Sequence, residues 1–320
     1  LVHVEFQSFA IRWESITRIF KRRGIDMHKV LSNKWSIFWL VSPGIFIFVF
    51  MVGIPIAMSA FYGMTDWKGI GSFHYVGFEN YINLLFHDAS FWRSLLNAVW
   101  LAAATVLIQH PIAIFIAILL TFCGKWEKVF QTIFFIPAVI SIVVTSKLWA
   151  SIYHPDYGLL NKILDSIGLS SWKQDWLGNP DIAIWAIIVT VMWQGFGYAL
   201  LLYYAGLQAI PESVMEAARL DGANHFQLYT KVVLPLLSPI ARVAIVLAVV
   251  TSLKQMETVF LMTKGGPGNS TEFLGNYLYN TAFSSSLYGY GNAISVLFVI
   301  FALCLTVLLN RLLKKETVEF

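Results

Sequence analysis

A chain of 320 residues that is 58% hydrophobic and only 12% charged carries about half the charge density of a soluble globular protein, where roughly a quarter of residues are charged. With a mean hydropathy of +0.67, it reads as an all-α polytopic membrane protein. The net charge of +4 is spread over loops rather than gathered on one surface, so no nucleic-acid partner is expected. The aromatic content (Trp 12, Tyr 13, Phe 25) suits rings that anchor several spans at lipid–water interfaces. Cys123 and Cys304 both fall at or inside apolar runs, which suits buried bystanders rather than a disulfide framework or a metal site.

Residues 1–34 form a basic N-terminal extension, with Arg12, Arg18, Lys21, Arg22, Arg23, Lys29 and Lys34 against Glu5, Glu14 and Asp26. Their polarity does not suit a cleavable signal peptide. A chain that opens on Leu1 is expected to start beyond its true beginning. A basic interfacial helix or a plain cytoplasmic extension would both fit the composition.

From residue 35 onward the chain reads as one transmembrane domain, 35–320. Apolar runs long enough to span, about 20 residues each, occur at about 35–62, 95–122, 129–150, 182–206, 240–262 and 288–311. Pro43, Pro55, Pro111 and Pro137 lie inside them, which bilayer helices tolerate when neighbours satisfy the freed carbonyls. Six spans are expected. The N-terminus, the 123–128 turn, the 207–242 stretch and the C-terminal tail hold most of the Lys and Arg. The loops 63–92, 151–181 and 263–287 hold only Lys68, Lys162, Lys173 and Lys264. The positive-inside rule then places both termini in the cytoplasm, as an even number of spans requires. The outer loops are acidic and aromatic, and long enough for short helices lying on the membrane.

The stretch from Pro211 to Pro239 lies on the cytoplasmic side between the fourth and fifth spans. Pro211 suits the first position of a helix, Glu212 its positive end, and Gly222 a stop one residue past its C-terminus. Asn224 and Gln227 are spaced for a capping box opening a second helix, which Pro235 and Pro239 would end. From these residues alone, the segment is a helix-turn-helix that serves either as an ordinary amphipathic connector or as a contact element.

Charge inside a span points to function by default. Lys147 stands near the outer end of the third span, close enough to the interface to snorkel. Lys254 and Glu257, three apart in the fifth span, are expected on one helix face, as a structural ion pair or as ligand contacts. Uncharged polar groups cluster at Trp193, Gln194, Gly195 and Tyr198 in the fourth span, and at Thr251, Ser252 and Gln255 in the fifth. Flat apolar rings, neutral hydrogen-bonding groups and glycines that permit close approach suit a sugar; ordinary interhelical polar packing would use the same residues. No phosphate-binding loop, HExxH, GxSxG or Cys/His cluster is present, and His110 before Pro111 stands alone, so no catalytic residue, cofactor or metal site is expected.

The combination Glu216-Ala217-Ala218, Asp221-Gly222-Ala223, Leu234-Pro235 and Pro239 closely resembles the EAA loop of binding-protein-dependent ABC importer permeases. Thr263-Lys264-Gly265-Gly266-Pro267, Ser270-Thr271, Tyr277, Tyr279-Asn280, Ala282-Phe283, Gly289 and Gly291 are similar to the external loop of carbohydrate-type permeases. In particular they resemble the maltose permease F-type subunits, as do Pro43-Gly44 and Gly77-Phe78-Glu79-Asn80-Tyr81. The resemblance covers the chain from about residue 35. It implies a type I importer permease core of six transmembrane helices with cytoplasmic coupling helices, in the bacterial cytoplasmic (inner) membrane.

The same resemblance implies the partners: a second homologous permease subunit, two cytoplasmic ATP-binding subunits that carry the ATP and Mg, and an extracytoplasmic sugar-binding protein. It implies that residues 211–239 couple to the ATPase, with Ala217 and Ala218 allowing close contact, Glu216 and Arg219 offering charge, and Asp221-Gly222 making the bend. The family's sugar-contact positions fall at Trp193, Gln194, Gly195, Tyr198, Thr251, Ser252 and Gln255. Lys254 and Glu257 depart from a neutral site and raise the expectation of an acidic oligosaccharide. The alternatives are an ABC permease for another small solute, an ion-coupled secondary transporter, which would be expected to show internal repeats, and a membrane enzyme, which lacks a catalytic constellation.

Overall fold

The computed structural model describes residues 33–313. All but the last two residues of the basic extension, and the tail 314–320, lie outside the described residues. The chain separates into two compact units, 1–59 and 60–320. In the first, α1 (Lys34–Phe48) is capped by Asn33, whose side chain accepts from Trp35 N. It passes through a π-helical turn at Val49–Gly53 into α2 (Ile54–Tyr62). Pro43 sits inside α1, and the whole run is a 29-residue apolar helix of membrane-spanning length.

In the second unit, α3 (Glu79–Phe86) is a short helix and α4 (Ala89–Ala104) runs through a π turn at Thr105–Gln109 into α5 (His110–Leu120). Then follow α6 (Glu127–Val139), α7 (Ile142–Ile152), the short α8 (Leu159–Ser166) and the long α9 (Ala183–Gln208). The 211–239 segment forms α10 (Glu212–Leu220), α11 (His225–Gln227) and α12 (Leu234–Leu236). The remainder is α13 (Ser238–Leu253), α14 (Glu257–Met262), α15 (Leu274–Tyr279) and α16 (Tyr288–Leu312). Among the described residues, four helices are long and apolar enough to cross a membrane. Two bent pairs bring the number to six if each counts as one span.

The bends correct two of the expected spans. The third is no straight helix over 129–150, because α6 and α7 meet at 95°. Ile140 and Ser141 are extended, and Ser141 Oγ starts α7 by accepting from Val144 N at 3.4 Å. The fifth ends at Leu253 rather than near 262. Residues 254–256 are non-helical beside Gly275, where a Cβ would lie 3.2 Å from Met256 Cβ, so α15 packs directly onto the break.

Three apolar clusters hold the unit together. Leu120, Leu200, Tyr203, Leu228 and Leu237 join α5 and α9 to the 211–239 segment. Leu101, Ile187, Leu253 and Phe273 join α4, α9 and α13, and Leu84, Phe91, Leu274 and Ile294 join α3, α4 and α15 to α16. Gly197 lets α9 approach α6 closely, since a Cβ there would lie 2.9 Å from Phe134 O.

At the outer end, Asp88 caps α4 through Phe91 N and also accepts from the hydroxyls of Tyr277 and Tyr290. Asp66 accepts the backbone N–H of His74 and faces its ring, which holds this carboxyl below its ordinary value. Burial pushes Glu272 up, opposed by a hydrogen bond from Asn280.

The buried Asn97 donates from Nδ2 to Ser270 O at 2.9 Å and to Glu272 O at 2.8 Å, tying α4 to a loop more than 170 residues away. Replacing Asn97 by Ala removes the donor from both carbonyls. The thermal unfolding midpoint in detergent is expected to fall, equivalent to about 1–3 kcal/mol. Unchanged melting would show that this tie carries no stability.

Candidate functional site

A cavity of about 460 Å³ lies among α4, the π turn, α5, the α6–α7 break, α9 and α13. Gln194, Gly195, Tyr198, Thr251, Ser252 and Gln255 all line it, so six of the seven expected contact residues converge on one space. Trp193 does not line it and instead packs edge-on against Trp149, 5.6 Å between ring centres. Lys254 and Glu257 are not in the lining either. The helix stops at Leu253 and restarts at Glu257, so the two do not share a continuous helical face. Among the described residues no ion pair joins them within 4 Å.

The cavity's polar groups divide into those already engaged and those left over. Gln194 Nε2 donates to Ile140 O at 3.0 Å and Tyr198 Oη to Ala138 O at 3.1 Å. Both acceptors are carbonyls freed by the break between α6 and α7. Unpaired backbone groups are costly in lipid, so these two side chains hold the broken span together as well as facing the cavity. Thr251 and Ser252 bond back to carbonyls of their own helix, at Leu247 and Ala248. Gln255 lies in the break after α13, and its Nε2 is buried without a partner. Among the described residues, no Asp, Glu, Lys or Arg lines the cavity.

Sequence reasoning missed the second span's share: Thr105, Gln109 and His110 also line the space. Gln109 was visible as a polar residue in an apolar run. Its inward direction depends on the π turn, which no periodicity reveals. His110 is not isolated: its Nδ1 and the Tyr203 hydroxyl share a hydrogen bond of 2.6 Å, both residues being buried.

The 211–239 segment follows its sequence signals closely, with two differences. Pro211 is the N-cap of α10, with φ −60 and ψ 135, not its first helical residue. Pro235 does not end the second helix. It begins α12 after a π turn at Leu228–Val233, and the chain bends by 62° before Ser238. The π turn opens the backbone ahead of a residue that lacks an N–H and crowds the preceding turn. Gly222 has φ +84. Its N–H reaches Arg219 O while Ala223 N–H reaches Ala218 O, the paired bonds of a Schellman stop. Asn224 and Gln227 form the full capping box.

On α10, Val214, Met215 and Ala218 turn inward, Met215 and Ala218 against the first cluster. Glu216, Ala217, Arg219, Asp221 and Gly222 are exposed. Ala218 therefore serves this chain's own packing. Two apolar residues not singled out by sequence, Leu220 (89% exposed) and Phe226 (77%), stand beside the exposed residues.

The family model for the "binding-protein-dependent transport system inner membrane component" matches residues 109–315, which contain most of the cavity and the whole capped loop. The chain belongs to this family. A probable ABC transporter permease of Pyrococcus horikoshii is 37% identical over 265 residues, 82% of this chain and 89% of the relative. The multiple sugar-binding transport system permease MsmF of Streptococcus mutans is 34% identical over 292 residues, 91% of this chain and 99% of MsmF. In fold, the permease is similar to a chain of the crystal structure of a bacterial alginate ABC transporter in complex with an alginate pentasaccharide-bound periplasmic protein. The TM-score is 0.75 at 23% identity, over 90% of this chain and 97% of that one. The protein is thus a non-catalytic, multi-pass inner-membrane permease component of a binding-protein-dependent ABC importer.

Tyr203→Phe leaves the packing volume of the permease almost unchanged but removes the partner of buried His110. The expected outcome is a loss of about 1–3 kcal/mol, read as a lower unfolding midpoint in detergent. Equal midpoints would show that the pair is not stabilising.

Proposed function

We propose that this permease carries a sugar or oligosaccharide, forming half of a translocation path with a second permease subunit. Two ATP-binding subunits would sit against residues 211–239, and an extracytoplasmic sugar-binding protein would deliver the substrate. The observation that carries this reading is the cavity itself: it joins six of the seven candidate contact residues in one uncharged space. Neutral amides and hydroxyls beside apolar walls match a ligand of many hydroxyls and apolar C–H faces. The printed names of sugar-permease relatives such as MsmF support the same class. The distribution of Lys and Arg supports cytoplasmic termini and a cytoplasmic capped loop.

In this reading α10 is the coupling element. Glu216 and Arg219 offer charge to the ATPase, Ala217 allows close approach, and Leu220 and Phe226 supply apolar anchors. A nucleotide-driven movement of the ATPases would act on α10. Through the apolar cluster of Leu228 and Leu237 with Leu200 and Tyr203, it would reach the helix that lines the cavity. The switch requires that the partners contact the two states differently.

The test begins with copurification of an ATPase and a second permease, and with sugar uptake that stops without ATP hydrolysis. Gly222→Val is strained at φ +84 and Glu216→Lys reverses an exposed charge. Each is expected to leave the permease inserted and ATP hydrolysis measurable while sugar uptake falls at least tenfold. Full uptake in both variants would remove the coupling role.

A further inference from the structure

The cavity's unspent hydrogen-bonding capacity includes two amides, with the Thr258 hydroxyl also in the lining. Thr105, Thr251 and Ser252 bond back to their own helices, Tyr198 and one amide N–H of Gln194 are tied to the α6–α7 break, and His110 is tied to Tyr203. Gln255 Nε2 is buried without a partner. The Gln109 side chain makes no hydrogen bond among the described residues, yet Gln109 is only 6% exposed and lines the cavity.

Local structure explains its direction. The π turn Thr105–Gln109 adds a residue to the turn and shifts the helical register. Leu107 and Ile108 are left facing outward, 72% and 51% exposed, and Gln109 inward. Across from it stands Gly195, where a Cβ would touch Gln109 Nε2 at 3.4 Å. The amide thus lies directly against the bare backbone of α9.

We infer that Gln109 is a specificity-determining contact of the permease, pairing with Gln255 across the cavity to hold a neutral, hydroxyl-bearing saccharide unit. The inference rests on the sugar-import reading above and narrows it. Each carboxamide offers two N–H donors and a carbonyl acceptor, a match for hydroxyls that both donate and accept. A uronate carboxylate in the same place would lose its water without gaining a cation from the described residues of this chain, among which no Lys or Arg lines the space, and burying an unpaired charge is far costlier than burying a hydroxyl that finds a partner. Lys254, outside the lining, does not change that balance. Because a site built to bond a hydroxyl leaves its own buried groups unpaired when that hydroxyl is absent, Gln109 would select among neutral sugars and not merely tolerate them.

The test uses the complete transporter in proteoliposomes, with its binding protein and ATPases. The probes are labelled neutral mono- to trisaccharides and their uronate counterparts. The readout is sugar imported per ATP hydrolysed, measured for each sugar. Wild type is expected to prefer neutral members. Gln109→Leu is expected to lower that ratio at least tenfold, equivalent to about 1.4 kcal/mol, and to reorder preference among neutral sugars. Gln109→Asn, which keeps the amide on a shorter arm, is expected to recover part of both.

A structural role would instead cut import and hydrolysis in step, with preference unchanged and a lowered unfolding midpoint, and that result overturns the inference. Unaltered import in Gln109→Leu overturns it as well. A wild type that favours the uronates defeats the neutral class while leaving sugar import standing. A wild type that imports no saccharide defeats the sugar reading and the inference with it.

Discussion

A backbone carbonyl released inside a bilayer has no water to turn to, and much of this permease is arranged around supplying donors to such groups. The third span breaks at Ile140–Ser141 with a 95° bend, and its freed carbonyls at Ala138 and Ile140 receive hydrogen bonds from Tyr198 and Gln194 on α9. Gly197 lies between those two residues in sequence and lets the helices approach closely enough for the bonds to form. The polar patch on the fourth span is therefore part of the architecture before it is part of any binding site. The break also gives the cavity one of its walls, which a straight helix would have filled.

The same economy appears in the 211–239 segment. A Schellman stop at Gly222 and a capping box at Asn224–Gln227 satisfy adjoining helix ends within a few residues. The turn between α10 and α11 thus has its own hydrogen bonds, while Met215 and Ala218 seat α10 on the cluster shared with α9. The proposed coupling role calls for an exposed helix seated on the packing shared with the cavity-lining α9, and α10 is so placed. The continuity is one of packing, from α10 through Leu228 and Leu237 to Leu200 and Tyr203.

At the opposite end, polar groups join the apolar cluster of Leu84, Phe91, Leu274 and Ile294 in tying distant segments together. Asp88 collects an N-cap bond and two tyrosine hydroxyls, and Asn97 bridges two carbonyls of the loop that follows α14. Gly275 rests against the interruption of the fifth span. Through Gly275, α15 therefore meets the break that presents Gln255 to the cavity.

Sequence by itself determined the class, the apolar runs and the caps, because each depends on composition or on partners a few residues apart. Asn224 and Gln227, Gly222, and the polar cluster at Gln194–Tyr198 and Thr251–Gln255 were legible for that reason. Only the tertiary structure decided how the polar residues are used. Gln194 and Tyr198 bond to carbonyls more than 50 residues away, and no local pattern specifies such a partner. Lys254 and Glu257 have helical spacing, but α15 packs on a break between them, so spacing misleads there. Gln109 shows the same limit from the other side. Its residue type was plain in the second span, while its place in the cavity depends on a π turn and on contact with the bare backbone at Gly195, and both are properties of helices meeting in three dimensions.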